Sequence, residues 1–351
     1  MRVAMILPLI ESVPPQGYGG TERVVAYLAE ELVRHGVDVT LYAPGDSRTS
    51  ARLVPCAERA LRLDQRVREY LPHQVAMLDR VREEADRFDL LHFHTDFIHF
   101  PLFRDRAEQT LTTLHGRQDF YDHRVAHARF PFMPLVSISD AQRAPLRSLG
   151  LRWMGTVHHG LPPDLYRPSS RAEDYVLFLG RISPEKRPDR AIRIARKAGL
   201  PLKIAAKVDA VDRLYFEREI DPLLRLDGVE FVGEVDDRGK EELLRGARAL
   251  LFPIDWPEPF GLVMIEAMAC GTPVVAWRCG SVPEVVETGV TGFVVDSEAQ
   301  AVEALARIDA LDRARVRARF EARFTAERMA RDYLEIYRRL LESARPRAIA
   351  A

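Results

Sequence analysis

The stretch Asp255–Val275, DWPEPFGLVMIEAMACGTPVV, decides how this chain is read. It follows an apolar run, Ala249–Ile254, with the length of a buried strand and bounded by Pro253 and Pro257. A helix fits Gly261–Cys270, Gly271 stands where helices commonly stop, and Thr272–Ala276 opens the next apolar strand. Strand, loop, helix and strand form the unit of a parallel sheet, whose ligands bind at the carboxyl ends of the strands. Two carboxylates stand out in it, Glu258 in the loop and Glu266 in the helix. A helix opening near Gly261 turns unpaired backbone N–H groups toward the loop, and glycine lets a phosphate approach closely. Glu266 lies about one and a half turns further on. There an ionised carboxylate accepts two hydrogen bonds from a vicinal diol such as ribose. Glu258, ahead of the helix, meets a group on the other side of the phosphates. Diol, diphosphate and a second polyol in a row describe a nucleotide sugar. The blander reading makes Glu258 a loop acid near the positive helix end and Glu266 a solvated helix residue. The apolar setting Leu262-Val263-Met264-Ile265-Glu266-Ala267-Met268 speaks against a solvated face.

EPFGLVMIEAMACGTPVVA, followed by GSVPEVVETGVTGFVV at Gly280–Val295, resembles the signature of retaining GT-B glycosyltransferases of family 4, also called glycosyl transferases group 1. The resemblance implies an α/β fold of two doubly wound Rossmann-like domains facing each other across a cleft. It divides the chain into an acceptor-side domain at 1–165, a nucleotide-sugar domain at 172–325 and a C-terminal helix, 326–351, crossing back to the first domain. It assigns donor contacts to Glu258, Phe260, Gly261, Leu262 and Glu266, with Glu258 on sugar hydroxyls and Glu266 on the ribose diol.

Arg2–Leu7 reads as the first strand, ahead of the loop VPPQGYGG at Val13–Gly20. Thr21 is placed to cap a helix over Glu22–His35, which Gly36 ends, and Val37–Tyr42 is a second strand. A strand, a glycine loop and a helix start approach phosphate by the same physics as above. The resemblance brings Gly19 and Gly20 to the donor diphosphate. Further strands fit Leu90–Phe93, Leu111–Leu114, Leu135–Ile138 and Thr156–His158, with helical stretches between. Polar residues gather where these strands end, namely His94-Thr95-Asp96, His115-Gly116-Arg117 and Ser137-Ile138-Ser139-Asp140. TLHG resembles the family segment whose histidine bonds the donor sugar near the reacting carbon, which makes His115 a catalytic candidate. His94, Asp96, Arg117 and Asp119 are candidates for the acceptor pocket. His92 with His94, and His123 with His127, lack a third ligand at convincing spacing, so no metal is expected.

Leu161–Arg171, LPPDLYRPSSR, reads as an interdomain linker. Strands then fit Tyr175–Leu179, Leu202–Ala206, Val229–Val232, Ala249–Pro253, Pro273–Ala276 and Phe293–Val295. The loop GRISPEKRPDRAI, Gly180–Ile192, carries Arg181 and Lys186. Fixed cations there stabilise a departing diphosphate without a metal. Both match the family pattern, and Arg187 stands where the family usually has glycine. Lys207 is a looser candidate for reaching the donor. Phe231-Val232-Gly233-Glu234-Val235 resembles the segment whose backbone cradles the base, which puts Val232 and Gly233 among the donor contacts and leans toward uracil over guanine. Past Asp312 the chain is Arg-rich. Met329, Tyr333, Ile336, Tyr337 and Leu340 recur at helical spacing, with Glu327, Asp332, Glu335 and Glu342 interleaved among arginines. Core packing with a salt-bridged outer face is the first reading, and weak peripheral contact with an anionic membrane is the second.

With 351 residues the chain is too long for one ordinary core. Lys plus Arg total 51 against 52 Asp plus Glu, so nothing in the charge points to nucleic acid. Three cysteines make no disulfide framework and suit a reducing cytoplasm. No apolar run approaches the roughly 18 residues that a membrane span needs. Together with these readings, the resemblance implies a metal-independent retaining transferase with no cofactor beyond its co-substrate. It would move a hexose, with glucose from UDP-glucose favoured, to a small-molecule or glycan hydroxyl. The alternatives are a GDP-mannose-dependent mannosyltransferase, a GT-B phosphorylase and a non-catalytic nucleotide-sugar sensor.

Overall fold

A computed structural model describes residues 1–17 and 19–344 and divides the chain into two units. The first comprises residues 1–160 and the segment from Ala326 onward, and the second comprises Leu161–Thr325. The expectation for Tyr18 within the GYGG loop, and for 345–351, lies outside the described residues.

The first unit holds seven parallel strands: β1 (Arg2–Ile6), β2 (Asp38–Pro44), β3 (Arg52–Ala57), β4 (Leu90–Phe93), β5 (Thr110–Thr113), β6 (Leu135–Ser137) and β7 (Trp153–Thr156). Their order is β3-β2-β1-β4-β5-β6-β7. The interior strands are buried on both faces because helices cover both sides of a parallel sheet, as Val3–Ile6 and Leu90–Phe93 show by complete burial. β3, RLVPCA, escapes the sequence reading. It is an edge strand, so it tolerates Pro55 and is buried on one side only. β7 starts at Trp153, ahead of the expected Thr156, and all four of its residues are half-buried at the other edge.

The helix Ala326–Ala344 belongs to this unit. Met329, Tyr333, Ile336, Tyr337 and Leu340 are all buried, so the stripe that a membrane reading would place in lipid is packed in protein. Two hydroxyls of the helix reach into the sheet. Tyr337 Oη lies 2.7 Å from His92 Nδ1, and Tyr333 Oη lies 2.9 Å from Thr113 Oγ1. Thr113 Oγ1 also meets His92 Nε2 at 2.8 Å, so both ring nitrogens of a fully buried histidine are satisfied.

The second unit holds six parallel strands: β8 (Val176–Arg181), β9 (Leu202–Lys207), β10 (Val229–Gly233), β11 (Ala249–Phe252), β12 (Val274–Trp277) and β13 (Gly292–Val295). Their order is β10-β9-β8-β11-β12-β13. In each sheet the winding direction reverses once, between β1 and β4 and between β8 and β11. The proline-rich stretch is built into the second unit rather than lying free as a linker. Leu161 and Tyr166 are buried, Leu161 bridges Thr325, and the Arg317 guanidinium donates to the carbonyls of Tyr166 and Ala269. Burial of Leu161 and Tyr166 is the reason.

Burial holds the His92 imidazole at about 3, far below its ordinary value. The ring is therefore neutral in the fold, while the unfolded chain takes up a proton below about 6.5. Its contribution is fully present above that pH and is lost as pH falls from about 6.5 toward 3. In denaturant titrations between pH 6 and 4, His92→Gln is expected to flatten the fall in stability by about 1.4 kcal/mol per pH unit relative to the parent.

Candidate active site

The reversal between β8 and β11 parts the segments that follow them, and Arg181, Lys186 and Glu258 sit there. Arg181 ends β8, and Lys186 closes a short turn, Pro184–Lys186. Arg187 follows with φ 55°, in the left-handed region that favours glycine. This explains why the family usually has glycine there. Arg187 is held in that conformation by Asp189, 2.9 Å from Nε, and by Asp255, 2.7 Å from Nη1. Asp255 N donates to Glu185 O, so the β8 and β11 loops are tied by backbone as well as by charge.

The structure brings together Lys186 and Glu258, which lie on different loops. Lys186 Nζ lies 2.6 Å from Glu258 Oε2, and both side chains are largely buried. Trp256 Nε1 donates to the same oxygen at 3.0 Å, and the ammonium sits 4.4 Å from the Trp256 ring centroid. Lys186 and Glu258 thus form one ion pair backed by an indole, a contact that no spacing in the sequence announces. Arg181 is engaged by Glu185 at 3.1 Å and Asp209 at 3.3 Å. Lys207 also bonds Asp209, at 3.1 Å. Against the cost of its burial, hydrogen bonds from Lys207 and Arg181 hold the Asp209 carboxyl below the usual carboxylate range.

The helix spans Leu262–Ala269, and Gly271 (φ 76°) lies just past its end as expected. Gly261 precedes it with φ 79° and no side-chain cap, so no side chain of the cap residue covers the first-turn N–H groups. Glu266 is 5% exposed, and its Oε1 accepts from Lys240 Nζ at 2.9 Å and Tyr166 Oη at 3.4 Å. Neither partner was a sequence candidate. The Phe260 ring is core, edge-on to Phe324, so a ligand contact by Phe260 falls to its backbone. Leu262 is half-buried at the helix start. Gly280 and Ser281 fix the loop behind these groups. Ser281 N donates to Glu258 O at 3.0 Å and Ser281 Oγ to Phe260 O at 2.8 Å. A Cβ on Gly280 (φ 54°) would overlap the Glu258 backbone. At the end of β10, the register slips at Val232, and Gly233 takes φ 83°, which turns that backbone out of the ladder.

In the first unit, the helix expected from Glu22 with a Thr21 cap runs over Gly20–Arg34 instead, with Gly19 at the cap position and no side-chain cap. The glycines supply the helix start themselves, and a Cβ on Gly19 would lie 2.8 Å from Pro15. His94, after β4, and His115, after β5, are bonded Nδ1 to Nε2 at 2.8 Å, and His159 stacks on His115 at 5.4 Å. Desolvation pulls His94 and His115 below their ordinary pKa, so both rings are neutral near pH 7. His94 Nε2 and His115 Nδ1 are buried without a hydrogen-bond partner among the described residues. Two neutral rings sharing one hydrogen bond leave one of those nitrogens a donor and the other an acceptor. His94, read as an acceptor contact, is thus buried and directed at His115. Asp96 sits at φ 49°, and burial raises its carboxyl pKa. Arg117 and Asp119 pair with each other at 2.8 Å, and the hydrogen bond from Arg117 holds Asp119 below the usual carboxylate range. Among the described residues no group of three or more His, Cys, Asp or Glu is arranged to hold a metal ion. No helix among them is long and apolar enough to cross a membrane.

Two parallel, doubly wound sheets of this kind are the architecture of the GT-B fold. Residues 18–198 match the profile of Glycosyltransferase Family 4, and residues 167–323 match that of Glycosyl transferases group 1. The chain belongs to this family and is an enzyme that transfers sugar. It is similar to a D-inositol 3-phosphate glycosyltransferase of Mycolicibacterium smegmatis, 28% identical over 342 residues, covering 79% of this chain and 75% of that protein. The protein of that name from Mycobacterium bovis is 35% identical over 195 residues, which span 48% of this chain and only 39% of the relative. Among solved structures, AviGT4, a glycosyltransferase involved in avilamycin A biosynthesis, is 28% identical with a TM-score of 0.73 and 98% coverage of both chains. The fold is also that of Anabaena Alr3699/HepE in complex with UDP and glucose, 20% identical with a TM-score of 0.72, covering 95% of this chain and 98% of that one.

Gly280→Ala forces a side chain into the left-handed region and against Glu258, a strain of about 1–3 kcal/mol. It should raise the donor KM at least tenfold while Gly289→Ala, at a glycine of positive φ with open space around it, leaves KM unchanged. Steady-state kinetics on the two variants makes the comparison.

Proposed function

We propose that this enzyme transfers a hexose, with glucose from UDP-glucose as first choice, to a hydroxyl acceptor with retention and without a metal. The observation that carries the reading is the pair of buried carboxylates, Glu258 and Glu266, each bonded to a lysine on either side of a helix start that its cap residue leaves open. Lys186, with Arg181, supplies positive charge for the departing diphosphate. Glu258 takes sugar hydroxyls and Glu266 the ribose diol. The bulged backbone at Val232–Gly233 suits the alternating acceptor and donor edge of uracil, which favours UDP over GDP. His115 is assigned to the donor sugar, and its orphaned Nδ1 is the atom available for a hydroxyl.

In the step we infer, the bond from the anomeric carbon to the β-phosphate oxygen breaks, and its electrons leave with the diphosphate. The acceptor oxygen attacks the same face, and its proton passes to a β-phosphate oxygen. No enzyme carboxylate bonds to the sugar. Front-face departure asks the protein mainly for positioning and charge, which the Lys186–Glu258–Trp256 contact provides. Glu258→Ala and Lys186→Ala should each lower kcat/KM about 100-fold or more. EDTA should leave turnover intact. UDP-glucose and GDP-mannose compared by thermal shift, with nucleotide release then measured, assign the donor. A shift with GDP-mannose alone makes the enzyme a mannosyltransferase, and sugar release driven by inorganic phosphate makes it a phosphorylase.

A further inference from the structure

Glu266 sits in an awkward place for a charge. Its helix is apolar around it, with Met264, Ile265, Ala267 and Met268 all fully buried. A carboxylate in such surroundings costs several kcal/mol unless it is paired. Lys240 supplies the pairing from a different helix, Asp237–Gly246, whose start is fixed by Asp236 Oδ1 accepting from Gly239 N at 2.8 Å. The Lys240 side chain is itself mostly buried, 17% exposed, and makes a second, longer pair with Asp237 at 3.4 Å. Both hydrogen bonds onto Glu266, from Lys240 Nζ and from Tyr166 Oη, fall on Oε1. No described residue donates to Oε2.

That one-sidedness is the informative feature. A lysine placed only to neutralise a buried acid is equally served by either oxygen. Two donors converging on Oε1 from separate elements instead fix the carboxylate plane, and they leave Oε2 as the oxygen with unspent acceptor capacity. A hydroxyl of a vicinal diol needs such an oxygen. A ligand lacking that hydroxyl would forfeit the bond without disturbing the pair.

Resting on the assignment of Glu266 to the ribose, we propose that Lys240 is the positioning residue that sets selectivity for ribonucleotide over 2′-deoxyribonucleotide in the donor site. It does not touch the nucleotide. It acts through Glu266, by holding Oε1 and so aiming Oε2.

The test is calorimetric titration of the full chain with UDP and with dUDP, or with GDP and dGDP if the guanine pair is the one that binds. The parent should bind the ribonucleotide about tenfold tighter or more, the value of one hydrogen bond to a charged group. Lys240→Met should weaken ribonucleotide binding about tenfold, leave the deoxynucleotide within about twofold, and bring the ratio near one. Lys240→Arg should restore part of the ratio. A merely structural lysine would weaken both nucleotides alike, and that outcome, or an unchanged ratio, overturns the proposal. Glu266→Gln separates the two claims. If it abolishes the ratio while Lys240→Met does not, the lysine's role is wrong and the ribose assignment stands. If it leaves the ratio unchanged, the ribose assignment itself fails. Lys240→Gln, polar and of similar reach, serves the same comparison if the Met variant melts below assay temperature.

Discussion

Parallel strands whose winding direction reverses leave a gap where adjacent crossover connections go to opposite faces, and everything functional in this chain follows from that constraint. In the second unit it falls between β8 and β11. One loop brings Arg181 and Lys186, the other Trp256 and Glu258, and the backbone bond from Asp255 to Glu185 holds the two together. In the first unit the gap between β1 and β4 is followed by the glycine loop on one side and His94 on the other. The same rule, met twice in one chain, places charged or glycine-rich loops beside each reversal.

The second theme is how buried charge is tolerated. Glu258 and Glu266 would each be costly alone in their surroundings, and each has a lysine within hydrogen-bond distance. Neither pair is exposed enough to be dismissed as a surface contact. Such a pair is a weak argument for stability, since an apolar pair of equal volume often serves as well. Its value lies in geometry, because charge-assisted bonds fix where the remaining acceptor capacity points. In the first unit the histidines solve the opposite problem. Desolvation strips their charge, and all three are held as neutral hydrogen-bonding groups, His92 between a strand and the last helix and His94 against His115.

Much of this was legible in the order of residues. Interior strands such as Ala249–Phe252 and Val274–Trp277 are continuous apolar runs and were found nearly to the residue, because burial on both faces leaves no alternation to confuse. The edge strand Arg52–Ala57 was missed for the converse reason, since half its residues face outward and Pro55 argues against a strand. Thr21 looked like a cap by residue type, yet the helix begins two residues earlier than expected, on glycine, and type alone could not show that. Arg187 in place of the family's glycine was visible as a departure. That it occupies the left-handed region with two acids holding it was not.

The sequence by itself determined the alternation of strands and helices, the glycines at helix ends, and the charged residues Glu258, Glu266, Arg181 and Lys186 as candidates. Those are local properties, set by periodicity and by residue chemistry over a few positions. Only the tertiary structure decided partners: Lys186 with Glu258 across 72 positions, Lys240 with Glu266 across 26, and Tyr337 with His92 across 245. Such pairings are set by which strands become neighbours and how each loop is turned. A separation along the chain carries no trace of them, because a hydrogen bond depends on distance in space and on the direction of the groups that share it.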